Sequence, residues 1–405
     1  MLFKLEKILL FLTVLFLPTQ LGLHFWPEFS YVYSLKIDYL SPTLYFWDIL
    51  AIGLLIVWAL RKPHINKIAL NLFLLFLFSQ ALSLFGASNI GAGLVRLEQY
   101  TIAGFFGVYL ASYKLQVISN KLYWPLILAV LFEAILATLQ FVKGGTLGLW
   151  ILGERTFSIS TPAIAKFDFY GRQFLRPYAT FPHPNVLAGF MLIVIAILSF
   201  RRRVVNWIPA PQEYLLLRSG AFAGMTILLA VSRAAILAGF GLGLMLLNRK
   251  WKIILILVGL FLSPVLFTRF SSLLNFDNLT LLRREELMGN AWQMFTKSPI
   301  FGIGLNNFIP AQASDLIVGP NRFLQPVHNI ILLTLSETGI IGLIGLISLI
   351  GFPFLRLFRL NPKPYTLYPW AIILFLGMFD HYFLTLPQGY RLLFLVWGLS
   401  FSVVK

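Results

Sequence analysis

His328-Asn329-Ile330-Ile331-Leu332-Leu333-Thr334-Leu335-Ser336-Glu337-Thr338-Gly339 joins two very different kinds of chain. Upstream, from Thr268 to His328, about sixty residues contain no convincing membrane span and keep arginines and a histidine. Downstream the apolar run continues to about residue 355, long enough to cross a hydrocarbon core of about 30 Å. A polar loop that feeds straight into a membrane helix is therefore the reading on which the fold turns.

Composition extends that reading to the whole chain. Of 405 residues, 59% are hydrophobic, 16% aromatic and only 12% charged, with a mean hydropathy of +0.83. A water-soluble fold of this length needs far more polar surface, so the chain falls among integral membrane proteins. Twelve candidate spans follow, near 8–25, 45–60, 68–86, 97–113, 122–142, 184–200, 212–231, 234–248, 251–267, 329–355, 365–386 and 389–404. Helix is the state expected for each, because unpaired backbone in lipid is too costly and the alternation of a strand barrel is missing. The expected fold is all-α and polytopic: N-terminal membrane helices over 1–142, a first large outer loop over 143–183 and central helices over 184–267. A second large outer loop with an interfacial helix covers 268–328, and C-terminal helices cover 329–405. The start, Met1-Leu2-Phe3-Lys4-Leu5-Glu6-Lys7, looks like a secretory signal but lacks a small-residue cleavage site, so it reads as a retained first span.

Charge orients the spans. With the N-terminus inside, 18 of the 32 basic residues fall in the inside termini and short loops, among them Lys4, Lys7, Arg61, Lys62, Arg201, Arg202, Arg203, Arg249, Lys250, Arg356, Lys363 and Lys405. This bias predicts both termini in the cytoplasm and both long loops outside. It also accounts for the net charge of +17 without nucleic acid, for which no phosphate loop or aromatic signature is present. The absence of cysteine excludes disulfides, thiolate metal sites and cysteine nucleophiles.

Three polar constellations lie on the predicted outer face. The first loop ends Arg176-Pro177-Tyr178-Ala179-Thr180-Phe181-Pro182-His183-Pro184-Asn185. Here Asn185 can cap the following helix and the prolines stiffen its approach, while Arg176 has no obvious acidic partner. In the second loop, Glu285–Thr296 is amphipathic, with Leu287, Met288, Ala291, Trp292 and Phe295 on one face, which predicts a helix along the interface. Arg283 and Arg284 stand at its expected N-terminus, where the helix dipole disfavours cations unless an anion visits. The Gly302-x-Gly304 turn by itself only permits a tight bend. His328-Asn329 opens the next span, and Glu337, nine residues on and roughly 13 Å down a helix, is expected to face the bundle interior and to be able to pair with an arginine.

Taken together, Arg176…Phe181-x-His183-Pro184-Asn185, Ser232-Arg233, Arg284…Pro299-x-x-Gly302-x-Gly304 and His328-Asn329…Glu337-x-Gly339 resemble the O-antigen ligase and O-antigen polymerase superfamily. The resemblance covers about 160–345 by motif and the rest by topology. Met288 stands where that family usually has tryptophan, and Ala179 where glycine is common. What the resemblance implies is an inverting, metal-independent glycosyltransferase of the cytoplasmic (inner) membrane that works on its outer face in lipopolysaccharide or surface-polysaccharide synthesis. The implied donor is a glycan on a polyprenyl pyrophosphate, and the implied acceptor is a saccharide hydroxyl, on a glycolipid for a ligase or on another lipid-linked chain for a polymerase. No cofactor is implied.

The chemistry of the residues agrees with that implication. A pyrophosphate leaving group gains negative charge that a metal or cationic side chains must neutralise. Asp168, Asp277 and Asp315 are isolated in sequence and offer no carboxylate pair for a divalent ion, whereas guanidinium groups stay charged and bind phosphate bidentately. Arg176 and Arg284 are thus the expected pyrophosphate ligands, Arg233 the third, and His328 the general base or orienting group on the acceptor hydroxyl. His183, Asn185, Asn329 and Glu337 complete the expected substrate-binding set. A lipid-linked oligosaccharide transporter is the competing class, but only Glu133 lies clearly mid-span, Asp380 and His381 lie toward the outer end of the eleventh span, and the halves show no repeat.

Overall fold

A computed structural model describes residues 1–169, 171–204, 210–261, 263–264, 267, 270, 279–315, 324–359 and 367–402. Asp277, Lys363, Lys405 and the segment 271–278 of the second loop lie outside the described residues, as do the side chains of Arg201–Arg203 and Asp315. The chain is predominantly helical. Its first half holds α1 (Leu2–Leu15), α2 (Phe46–Leu60), α3 (Lys67–Leu82), α4 (Ile90–Ala111), α5 (Leu115–Lys143), α6 (Pro184–Val204) and α7 (Ala210–Ala230). Its second half holds α8 (Arg233–Leu246), α9 (Arg249–Phe261), α10 (Leu279–Lys297), α11 (Phe308–Asp315), α12 (Ile330–Arg359), α13 (Tyr368–Gly377), α14 (Tyr382–Thr385) and α15 (Pro387–Ser402).

Among the described residues, three helical stretches, Lys67–Gly86, Lys121–Lys143 and Ile330–Arg359, are long and apolar enough to cross a membrane, and four shorter apolar helices accompany them. Their outward faces carry helical stripes of exposed apolar side chains, such as Ile49, Ile52 and Ile56 on α2 and Leu128, Phe132, Ile135 and Leu139 on α5. Stripes of that kind suit lipid, which rewards exposed hydrocarbon as water does not. Inward, α4 packs closely on α15, α3 on α12, and α5 on α7. Gly107 and Gly398 let the first pair approach so closely that a Cβ on Gly398 would run into the Gly107 carbonyl.

The expected first span, 8–25, is corrected at both ends. The helix begins at Leu2 and stops at Leu15, three residues before Pro18, which cannot donate to a helix ladder. Residues 22–45 instead fold into two small antiparallel pairs: β1 (Gly22–His24) with β4 (Thr43–Tyr45), and β2 (Tyr31–Val32) with β3 (Leu35–Lys36). A third pair, β5 (Lys166–Phe169) with β6 (Arg172–Leu175), builds the end of the first long loop. The expected eleventh span, 365–386, is likewise broken. Its helix α13 ends at Gly377, after about 15 Å of rise, because the Asp380 carboxylate takes the His381 N–H (2.9 Å) that a helix would spend internally.

In α10 the helix starts at Leu279, so Arg283 and Arg284 sit a turn inside it and not at its N-terminus. Its buried stripe is Leu287, Ala291 and Met294, which packs on α12, while Met288 and Trp292 are exposed. The pattern of apolar residues allowed both faces, and packing selected one.

Helix α12 is interrupted at Gly339 (φ 64°, ψ −163°). The broken ladder is repaired by the glycine turn of the second loop: Ile303 N–H donates to Ser336 O (3.0 Å), Gly304 N–H to Glu337 O (2.9 Å), and Ile340 N–H to Pro299 O (2.9 Å). Gly302 and Gly304 also have positive φ (70° and 105°), and a Cβ on Gly302 would collide with the Glu337 backbone. Pro-x-x-Gly-x-Gly and Glu-x-Gly are thus two halves of one interlock, in which the Ser336 and Glu337 carbonyls and the Ile340 N–H find partners across the break.

Candidate functional site

A cavity of about 930 Å³ opens where the 22–45 segment, the turn at 150–164, the start of α6, His328 and residues 380–388 converge. His183, Asn185 and His328, all singled out by sequence, line it. So do Asp380, His381 and Thr385, whose place in the sequence points to no chemical role, and Arg96 and Gln99 from α4.

At the start of α6, Pro184 takes the first helical position, where a missing N–H costs nothing. The cap is therefore His183, whose Nδ1 accepts the Asn185 N–H (3.1 Å), and Asn185 does not itself cap the helix. That bond leaves the neutral imidazole with its proton on Nε2. Released from capping, the Asn185 amide bridges two charges. Its Oδ1 accepts from the Arg176 guanidinium (2.7 Å) and its Nδ2 donates to Asp380 Oδ2 (3.2 Å). Arg176 also donates through Nε to the Ala230 carbonyl (2.6 Å), which ties the first long loop to the turn at Ser232-Arg233 that opens α8.

On the other wall, Asn329 caps α12 by accepting the N–H groups of Ile331 (2.9 Å) and Leu332 (3.0 Å). Its Nδ2 donates to the Met378 carbonyl (3.2 Å), binding the His328 loop to the end of α13. His328 and His381 face one another with ring centroids 5.0 Å apart. His381 is held by Thr385, whose Oγ1 lies 2.6 Å from Nδ1. The Nδ1 atom of His328 is buried without a hydrogen-bond partner. His328, Asp380 and His381 each offer one ligating atom, and these atoms lie within 4.8 Å of one another.

Burial pushes the His328 imidazole below its ordinary range, Asp380 opposes that shift, and the positive charge of Arg284 adds to it. His183 is lowered further, by burial first and then by Arg176. Both rings are thus neutral at neutral pH, as a proton acceptor must be. Arg284 lies outside the cavity lining but acts electrostatically on both rings. Arg176 and Arg284 thus both act on His183, and Arg284 acts on His328 as well; Arg176 and Arg233 also lie outside the lining. Glu337 stands apart from the lining. It is buried, and its carboxylate accepts the Phe308 N–H (3.1 Å) where the glycine turn meets α11.

Asp380 and His381 carry a sequence signal, two polar residues breaking an apolar run, but nothing in the sequence tells which of the distant elements they meet.

Residues 219–347 match the family model described as O-Antigen ligase. Arg233, Arg284, His328, Asn329 and Glu337 fall inside the match, and the fold brings His183 and Asn185, from outside it, to the cavity that His328 lines. The match supports the resemblance to the O-antigen ligase and polymerase superfamily, and the long apolar helices agree with an integral membrane protein. No curated protein matches the chain.

Proposed function

We propose that the protein transfers a glycan from a polyprenyl-pyrophosphate donor to a saccharide hydroxyl on the extracytoplasmic face of the inner membrane, as an O-antigen ligase does. The observation that carries this reading is the convergence of a neutral His328 with Asp380 and Asn185 on one cavity, with Arg176 bonded to Asn185 from behind the lining. In the proposed step His328 takes the proton of the acceptor hydroxyl, and the hydroxyl oxygen attacks the anomeric carbon. The bond from that carbon to the pyrophosphate oxygen breaks in the same displacement, which inverts the centre. The lipid pyrophosphate leaves with the electron pair, and Arg284, Arg176 and Arg233 stabilise its charge without a divalent ion. Asp380 stabilises the imidazolium formed at His328.

The proposed topology has twelve spans with both termini cytoplasmic, so that the two long loops meet donor and acceptor outside. Polymerisation shares the donor chemistry and differs in the acceptor. Purified protein supplied with lipid-linked donor and acceptor glycolipid tests the reading. Transfer is expected, with loss of activity in His328→Ala, and full activity in that variant removes His328 from the mechanism. Lengthened lipid-linked chains, in place of glycosylated acceptor, assign the protein to polymerisation.

A further inference from the structure

We propose that His328, Asp380 and His381 form a binding site for a transition-metal ion of the zinc class, and that an ion bound there silences glycan transfer. Two imidazoles and a carboxylate suit zinc and its neighbours, whereas magnesium and calcium favour oxygen-only sites. The three ligating atoms lie within 4.8 Å of one another. A tetrahedral zinc ion, with bonds of 2.0–2.1 Å, needs them about 3.4 Å apart, so small side-chain rotations close the set.

Outer contacts already hold two of the three. Thr385 occupies Nδ1 of His381 and leaves Nε2 for an ion, and Asn185 holds one oxygen of Asp380. Such outer partners orient metal ligands in zinc sites generally. The third ligand supplies the independent observation, because His328 Nδ1 is buried with no hydrogen-bond partner. Asn329, bonded to the Met378 carbonyl, fastens together the two loops that carry the ligands. All three residues line the cavity, which gives the ion a route and leaves its fourth position open. The silencing half rests on the proposed role of His328: an ion on that ring takes the lone pair that would accept the hydroxyl proton. The binding half does not depend on it.

The test uses the full-length protein in detergent, free of affinity histidines and treated with chelator. Titration with Co²⁺, followed by its visible d–d bands and displaced by Zn²⁺, should show one ion per chain that Mg²⁺ does not displace. Binding should be lost in His381→Gln and Asp380→Asn, weakened roughly tenfold in Thr385→Ala, and unchanged in the distant His64→Gln. Zinc should suppress transfer by the wild type, chelator should restore it, and the residual transfer of His381→Gln should be indifferent to zinc. Absence of saturable bands, or equal binding by His381→Gln, overturns the site. One zinc per chain with undiminished transfer overturns the silencing. If the metal-free protein transfers no glycan, the proposed function fails, while the Co²⁺ titration still decides the site.

Discussion

The two ends of residues 328–339 treat their polar groups in opposite ways. From Ser336 to Gly339 the helix is broken, yet the glycine turn of the second loop meets the exposed carbonyls and the N–H of Ile340. At His328 the chain is regular enough to be capped by the next residue, yet a ring nitrogen is buried with no partner. The fold thus meets the broken backbone with partners, yet leaves the His328 ring nitrogen, like several other buried side-chain atoms, without one. The contrast separates motif residues that build the site from those that would act in it.

Two substitutions should break this contrast most sharply. His328→Ala is expected to cost roughly 10²–10⁴ in transfer rate, the range of a general base, while leaving the melting temperature in detergent nearly unchanged. Gly339→Ala should do the reverse in kind. Its backbone angles cost a residue with a side chain about 1–3 kcal/mol, and a Cβ there would press on the Ile300 carbonyl. Its loss should appear first as lowered thermal stability and yield. A stable, well-folded Gly339→Ala protein would mean that the interlock is not what fixes this loop.

A second pair of substitutions tests α10. Leu287, 1% exposed, should destabilise by about 2–5 kcal/mol when cut to alanine. Trp292, 56% exposed, should stay within about 0.5 kcal/mol, read from denaturation midpoints. The sequence placed both residues on one apolar face, and their different burial shows where sequence reading runs out. Hydropathy located a helix in each of the twelve stretches, since burial of apolar helices in lipid is a local requirement. It could not say which stripe of α10 meets α12, because Leu287-Ala291-Met294 and Met288-Trp292-Phe295 satisfy the same periodicity. The strands of two to four residues at 22–45 and 166–175 were too short for any pattern. Arg284, Arg176 and His328 could be picked out as candidate site residues from motif spacing. The meeting of His328 with Asp380, and the bridge of Asn185 between Arg176 and Asp380, depend on packing between distant elements that no local pattern encodes.

Charge around His328 offers a finer measurement, made on chelator-treated protein. A base must be deprotonated, so the acid limb of the transfer-rate profile follows the His328 pKa, which burial lowers from its ordinary 6.5. Arg284 lowers it further and Asp380 raises it. Arg284→Gln should therefore move the acid limb to higher pH, and Asp380→Asn should move it to lower pH, beyond whatever each does to the maximal rate. Shifts in the same direction would mean that a group other than His328 governs the limb. Arg284→Lys keeps the charge and should leave the limb in place, while lowering kcat/KM because lysine cannot hold a phosphate bidentately.

The smallest expected effect belongs to Glu337, and it decides on which side of the contrast that residue falls. Its carboxylate is buried outside the cavity lining and accepts the Phe308 N–H at 3.1 Å. A glutamine in the same place keeps an oxygen that can accept that bond and loses only the charge. If Glu337 is a brace, Glu337→Gln should keep both transfer rate and melting temperature close to the wild type. Glu337→Ala, which strands the buried N–H, should cost about 1–3 kcal/mol. If instead its charge works on the substrate or steers the pyrophosphate arginines, the glutamine variant should lose transfer at unchanged stability. Stability and rate measured on the same two variants therefore separate an acceptor of the backbone N–H groups around the start of α11 from a participant in the chemistry.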